Sequence, residues 1–281
     1  MNKSEALKQI VMQTRAGELV FPASAEATLR IQEALNAPDC GIESAARLVM
    51  KNPLIATRIV AIANSVAYSR FGGGVTNTRT AITILGFSTL RSVVVAVAMK
   101  QLSLSVSSPQ IRERMNALWQ HSAQVGAIAH LFARRLTRID AETAFFAGVV
   151  HEIGGFYLLS RAEEFPALLN DETVTHDDSL EESEEIVIGH AVLHKLLVPK
   201  RVVSAIETVW YGSHTDVSAT LGDTLLLANT FCNALSPFDT RDATQLDAQR
   251  HAAANARNQD IPCLLQEEEA DIRSLVACLT G

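Results

Sequence analysis

Apolar residues in this chain return every three or four positions from end to end, and nowhere do they alternate with polar ones for long. Leu118, Ser122, Val125, Ala129, Phe132 and Leu136 make one such stripe, and Leu221, Leu225, Ala228, Phe231, Cys232 and Leu235 make another. A helix repeats every 3.6 residues and a strand every two, so the pattern predicts an all-α protein. Breakers set the boundaries. Gly17 ends an opening helix over Leu7 to Thr14, and Ser24 is placed to cap a second helix that runs to Leu35 and stops at Asn36-Ala37-Pro38-Asp39. Asn52-Pro53 separates two short helices, and Gly86 breaks the run from Thr78 to Leu102. A helix of about two dozen residues follows from Ile111 to Leu136, then one through 145–159 and one from Ser183 to Leu197, closed by Pro199.

The serine-rich stretch Leu102-Ser103-Leu104-Ser105-Val106-Ser107-Ser108-Pro109 is the strongest candidate hinge. It divides the chain into an N-terminal helix (1–16), a first helical lobe (17–102), a second lobe (109–236) and a C-terminal helical appendage (237–281). The 281 residues suffice for one large core or two modest ones. Cys40, Cys232, Cys263 and Cys278 are scattered without metal-ribbon spacing, which fits reduced thiols. The N-terminus lacks an apolar leader, and the stretches 54–67 and 92–99 are interrupted by Arg58 or short for a bilayer, so the expectation is a soluble cytoplasmic chain with no membrane contact.

Charge is unevenly placed. Up to Leu102 there are eleven Lys/Arg against six Asp/Glu, whereas the whole chain carries −7. No acidic residue lies between Ser44 and Arg112, where Arg47, Lys51, Arg58, Arg70, Arg79, Arg91, Lys100 and Arg112 stand. Such a field suits a nucleotide, nucleic acid or an acidic partner, but the spacing is loose and lacks interleaved aromatics, so a solvated, mildly basic lobe is the leading reading of the charge alone. Nucleic acid is not the expected one: the helix after Asn52-Pro53 offers only Thr57, Arg58, Asn64 and Ser65 as polar groups, too few to read bases and hold phosphates. The acidic run between Arg161 and Lys195 reads as a solvated face.

The chemistry-bearing segment is Phe145-Phe146-Ala147-Gly148-Val149-Val150-His151-Glu152-Ile153-Gly154-Gly155-Phe156. Drawn as one helix, it surrounds His151 with Ala147, Gly148, Gly154 and Gly155, so a neighbouring helix, an ion or a ligand must come close. Two glycines inside a helix cost roughly 1 kcal/mol each relative to alanine. His121 shares its face with Val125, Ile128 and Phe132 and points inward, while His130, nine residues on, is predicted to face solvent. His190 and His194 stand at i, i+4, a zinc-helix spacing with no third ligand near in sequence. His194 reads as a surface residue.

Phe21-Pro22, Asn36-Ala37-Pro38, Lys51-Asn52-Pro53-Leu54, Ala63-Asn64-Ser65, Ala81-Ile82 with Leu85-Gly86, Leu90-Arg91 and Ala147-Gly148-Val149-Val150-His151-Glu152-Ile153-Gly154, in this order over residues 17 to 230, resemble the HDOD family, the HD-related output domain of bacterial signalling proteins. That resemblance implies a two-lobed helical architecture with an HD-like core in the second lobe. It also implies kinship with metal-dependent phosphohydrolases of the HD superfamily. By that comparison His121 corresponds to the first metal-ligating histidine, His151 and Glu152 to the histidine–aspartate doublet, and Asn229 to the closing aspartate. His190 and His214 resemble the extra histidines of two-metal members.

Two departures matter. Glu152 lengthens its side chain by a methylene, about 1.5 Å, against a tolerance of about 0.2 Å for metal ligands. Asn229 removes an anion, and no Gly-Tyr-Pro stretch marks the cyclic-di-GMP phosphodiesterase branch. The expectation is a regulatory module with a vestigial pocket around His121, His151, Glu152, His190 and His214, which acts by binding a signalling protein or small ligand, with partner recognition on the first lobe and no cofactor expected. The alternative is an active phosphohydrolase holding a divalent transition metal (Fe, Mn, Zn or Ni) on His121, His151 and Glu152.

Overall fold

The computed structural model describes residues 1–68, 74–170, 183–212, 220–239, 241–257 and 260–280, and every described element is helical. In order these are α1 (Lys3–Arg15), α2 (Ala23–Leu35), α3 (Ile42–Met50), α4 (Pro53–Ala63), α5 (Thr78–Leu104) and α6 (Pro109–Phe132). A π-turn (Ala133–Thr137) leads to α7 (Ala141–Val150) and α8 (Ile153–Arg161), and a 3₁₀ turn (Pro166–Leu169) follows. The chain continues through α9 (Glu184–Lys195), α10 (Lys200–Tyr211), α11 (Leu221–Phe231), α12 (Ala243–Arg257), α13 (Ile261–Glu267) and α14 (Glu269–Thr280).

Local chemistry accounts for many boundaries. Asn2 and Glu5 form a reciprocal cap on α1, and Gly17 past its end has φ +79°, a conformation open to glycine. Ser24 is not the cap of α2: the helix begins one residue earlier, behind Pro22, without a side-chain cap. Asn52 caps α4 by accepting from the Leu54 and Ile55 amides, while its own amide donates to Thr28 of α2. Thr28 in turn donates to Gln101 of α5 at 2.8 Å. The Asn-Pro punctuation thus ties α2, α4 and α5 together. Asn64 exchanges two hydrogen bonds with the Val75 backbone, both 2.8 Å.

Gly86 sits inside the long α5 with φ +75° and ψ 172°, a break that lets the helix change course. Beyond it, Val93 to Met99 are buried on every side. Segments 78–104 and 141–161 are apolar and long enough to cross a membrane, yet most of each lies buried inside the protein. Of the serine-rich stretch only 105–108 is non-helical, since α5 runs on to Leu104 and α6 starts at Pro109, and it is pinned: the Glu163 carboxylate accepts from the Ser107 and Ser108 amides at 2.7 and 2.8 Å.

At the core, α6 packs against α7, α8, α11 and α14. His130, expected at the surface, is only 5% exposed. It does lie opposite His121 on α6, but this helix is buried almost all round along 121–132, so its far face is interior too. There His130 Nε2 lies 3.5 Å from Glu142, which also accepts from Tyr68 and from Thr89 (2.5 Å). The C-terminal α14 packs on α4 and α6, with its end held by Trp119 and by Arg58, which donates to the Cys278 and Leu279 carbonyls. Arg58, half-buried, is therefore committed to contacts within the protein.

Candidate metal centre

The segment drawn as one helix is two. α7 ends at Val150, Glu152 has φ −100° and ψ 18°, and α8 starts at Ile153, so His151 and Glu152 occupy the elbow between them. The elbow exists because two glycine crossings press its arms against neighbours. A Cβ on Gly148 would stand 2.5 Å from the Gly126 Cα of α6, and one on Gly154 would stand 3.1 Å from the Gly189 Cα of α9. These crossings are the close approach that the small residues predict.

The first crossing brings His121 of α6 against His151. Their Nε2 atoms are 3.1 Å apart. Each Nδ1 faces a carbonyl: His121 donates to Ala234 O at 2.6 Å and His151 to Gly148 O at 2.7 Å. A neutral imidazole has one N–H, so when both Nδ1 atoms donate, both Nε2 atoms present lone pairs to each other. Only a proton or a cation between them relieves that repulsion. Two nitrogens about 2.1 Å from one ion stand about 3.0 Å apart at right angles and about 3.4 Å apart in a tetrahedron, so 3.1 Å matches the right-angled arrangement.

Glu152 completes the group, with ligand atoms of all three residues within 4.8 Å of one another. Burial raises its carboxyl above the usual range, against the opposing pull of His121 and a hydrogen bond from Ser236. Burial, and then the neighbouring His121, push His151 down to about 3. Both shifts mark a pocket that disfavours charge unless an ion compensates it. Asn229 lies on α11, which packs against both α6 and α7, and its buried Oδ1 has no hydrogen-bond partner among the described residues. Two facing imidazole lone pairs and a carboxyl, all within 4.8 Å of one another, are a donor set that fits a divalent cation.

The segment after α11 closes over this centre. Gln124 accepts from the Ala234 amide and the Cys232 thiol, while Arg250 donates to the Thr230 and Cys232 carbonyls. From that base the chain delivers Ala234 O to His121, Ser236 to Glu152 and Phe238 to Gly155. A Cβ on Gly155 would meet the Phe238 ring at 2.6 Å, so this glycine gives the ring its seat beside Glu152. Arg241 holds Asp239 at the segment's far end and, against burial, keeps that carboxyl below its usual range. His121 and His151 are left 2% and 3% exposed.

The other sequence candidates lie elsewhere. His190 is half-buried, 3.5 Å from Glu207 and edge-on to Trp210, outside the three-residue group. His194 is exposed. His214 lies outside the described residues. The closing segment 232–239 escaped sequence reasoning because its role rests on a carbonyl, a serine and an aromatic with no motif spacing. Only Gly155, one of the small residues that call for a close neighbour around His151, hinted at it.

Solved structures of like fold include a provisionally assigned metal-dependent phosphohydrolase from Shewanella amazonensis SB2B, with TM-score 0.72, 23% identity and 98% of each chain covered. An HDOD domain protein of unknown function from Geobacter sulfurreducens has TM-score 0.60 and 19% identity, over 98% of this chain and 97% of that one. A provisionally assigned signal transduction protein from Marinobacter aquaeolei VT8 has TM-score 0.52 and 17% identity, over all of this chain and 62% of its own. These likenesses are of fold. No curated protein matches the sequence. The HDOD domain model matches residues 21–210, from Phe21 at the entry to α2 through α10, and the chain belongs to the HDOD family.

Proposed function

We propose that this protein is an HDOD signalling module that works by binding a protein partner, and that its histidine centre turns over no phosphoester. The observation that carries this reading is the burial of both imidazoles: His121 and His151 are 2% and 3% exposed beneath the 232–239 segment, while Glu152 stays partly open. A phosphoester has to approach within hydrogen-bonding or ligating distance of the reacting groups. With Asn229 where the family comparison expects an acid, Glu152 is the one anionic side chain of the three-residue group, a weak charge set for holding a catalytic ion. Partner recognition falls to the basic first lobe, whose surplus charge suits an acidic protein surface. The fold likeness to a protein provisionally assigned to signal transduction agrees with this reading.

The test is turnover of phosphomonoesters and phosphodiesters with Mn²⁺, Mg²⁺ or Fe²⁺ by the wild type and His151→Ala. Equal background rates are expected. A wild-type rate that the substitution abolishes refutes the proposal.

A second reading, a metal-dependent phosphohydrolase, is favoured by one observation, the facing Nε2 lone pairs. His121, His151 and Glu152 would hold the ion. A bound Fe, Mn, Zn or Ni ion would supply Lewis acidity and an acidified water. Stoichiometric metal in protein purified without chelators, together with turnover, supports this reading; metal without turnover supports a structural ion within the first.

A further inference from the structure

A separate cavity of about 190 Å³ opens between α2, α5, α7 and α10, lined by Gln32, Ser88, Arg91, Thr143, Phe146 and Arg201 among others. Three features set it apart from an ordinary surface dimple. Gln32 is 1% exposed, and its Oε1 is buried with no hydrogen-bond partner among the described residues. A buried amide oxygen left unpaired costs roughly 1–3 kcal/mol, so an unmet acceptor here calls for a donor.

Arg91 is the second feature. It reaches the cavity from just beyond the Gly86 break, held by the Phe87 carbonyl at 3.3 Å and by Asn36 Oδ1 at 3.1 Å. Both partners are neutral, and no carboxylate among the described residues pairs with it. Its charge is fixed in place and uncompensated. Arg201 reaches the same cavity from α10 and meets a carboxylate only distantly, Asp140 at 3.8 Å. An exposed pair at that separation is worth little.

The third feature is the start of α10. Arg201 lies in its first turn, behind Pro199, and no side chain caps the helix. Its leading amides and the positive end of its dipole add to the two guanidiniums. Ser88 and Thr143 contribute hydroxyls to the lining, and Phe146 an apolar wall.

We propose that this cavity binds the phosphate of a small hydroxylated phosphomonoester. Two planar guanidiniums and two hydroxyls offer more donors than the two oxygens of a carboxylate can accept, whereas a phosphate presents three terminal oxygens. The unmet Gln32 oxygen, which lies just beneath the lining, accepts from a ligand hydroxyl once its side chain turns into the cavity. Pockets for drug-sized ligands occupy roughly 300–1,000 Å³, so this one encloses a single headgroup. The ligand would touch α2, α5, α7 and α10 at once, joining the basic first lobe to the helix that leads into His151. The inference concerns a different site and stands whether or not the histidine centre is catalytic.

Glycerol 3-phosphate, with inorganic phosphate and glycerol beside it, is the probe for isothermal titration. Saturable binding of the phosphate compounds and none of glycerol is expected. Arg201 is 63% exposed, so Arg201→Ala leaves the fold intact. This substitution and Arg91→Ala are each expected to weaken binding about tenfold or more, the scale of one charged hydrogen bond. Gln32→Leu should remove the preference for glycerol 3-phosphate over inorganic phosphate. His151→Gln should leave binding unchanged. No saturable binding, or wild-type affinity in the Arg91→Ala/Arg201→Ala double variant, overturns the proposal. Loss of binding in a folded His151→Gln variant also overturns it, because the anion would then belong to the histidine centre.

Discussion

Replacing Gly148 by alanine sets two physical effects against each other. Alanine is the better helix former by about 1 kcal/mol, and in an open helix the change would stabilise. Here the new methyl would lie 2.5 Å from Gly126 Cα, 2.6 Å from Gly126 N and 2.9 Å from Val125 C. All three are backbone atoms that cannot swing away. Carbon atoms settle at about 3.5–4.0 Å, so α6 and α7 must separate by about 1 Å, and a gap of that size forfeits a quarter to a half of the attraction across the crossing. Overpacking of this kind costs roughly 1–3 kcal/mol, occasionally more, and the backbone contacts put Gly148 at the upper end, about 3 kcal/mol. The net expectation is a loss of about 2 kcal/mol. Urea unfolding followed by circular dichroism measures it. Because Gly148 O holds His151 and Gly126 lies on the helix that carries His121, the same substitution should move the Nε2 atoms apart and lower affinity for a divalent ion such as Co²⁺. Gly126→Ala is the control: its methyl meets Val149 Cγ2 at 2.9 Å and the backbone, at Phe145 O and Val149 N, only at 3.2 and 3.3 Å, so it should cost less. A Gly148→Ala protein as stable as the wild type would refute the account of this crossing.

Acidification should expose the Glu142 network. Burial alone would raise the Glu142 carboxyl, but hydrogen bonds from His130, Thr89 and Tyr68 outweigh it and hold the carboxyl below its usual range. A depressed folded pKa gives stability that is present above the unfolded value of about 4.5 and lost as pH falls through the folded one. Glu142→Gln should therefore be less stable than the wild type at pH 7, with the difference shrinking below about pH 4.5 in urea titrations; a constant difference counts against the network. Trp119→Phe, which deletes the 3.2 Å bond to Leu279 O, should cost about 1 kcal/mol and raise amide exchange in α14; unchanged exchange would show that the appendage is held by other contacts. Phe238→Ala should uncover Glu152 and speed modification of His121 and His151 by diethyl pyrocarbonate, and an unchanged rate would mean that the ring is not the cover.

The all-helical fold was legible because apolar spacing and breakers agreed: Gly17, Asn52-Pro53 and Gly86 act where they stand in the sequence. The pairing of His121 with His151 and Glu152 was legible only through resemblance to a family, since thirty residues separate the histidines and spacing alone does not bring them together. The elbow at His151-Glu152 was missed because apolar periodicity runs unbroken through it, and the break comes from tertiary crossings at Gly126 and Gly189. His130 was misplaced for a related reason. Helical phase gives the angle between two residues on α6 but not the number of neighbours around the helix, and this helix is enclosed on both faces. The cavity around Gln32 left no trace in the sequence, because its lining comes from four helices, one or a few residues from each.

Residue-resolved exchange of the imidazole C2 protons in D₂O, read by mass spectrometry on the folded wild type, tests most directly whether the histidine centre is closed. His194 and the half-buried His190 are expected to exchange as accessible imidazoles, while His121 and His151 stay protected until the protein unfolds. Exchange of His121 and His151 at the rate of His194 under native conditions would contradict the closed centre, and with it the case for recognition over turnover.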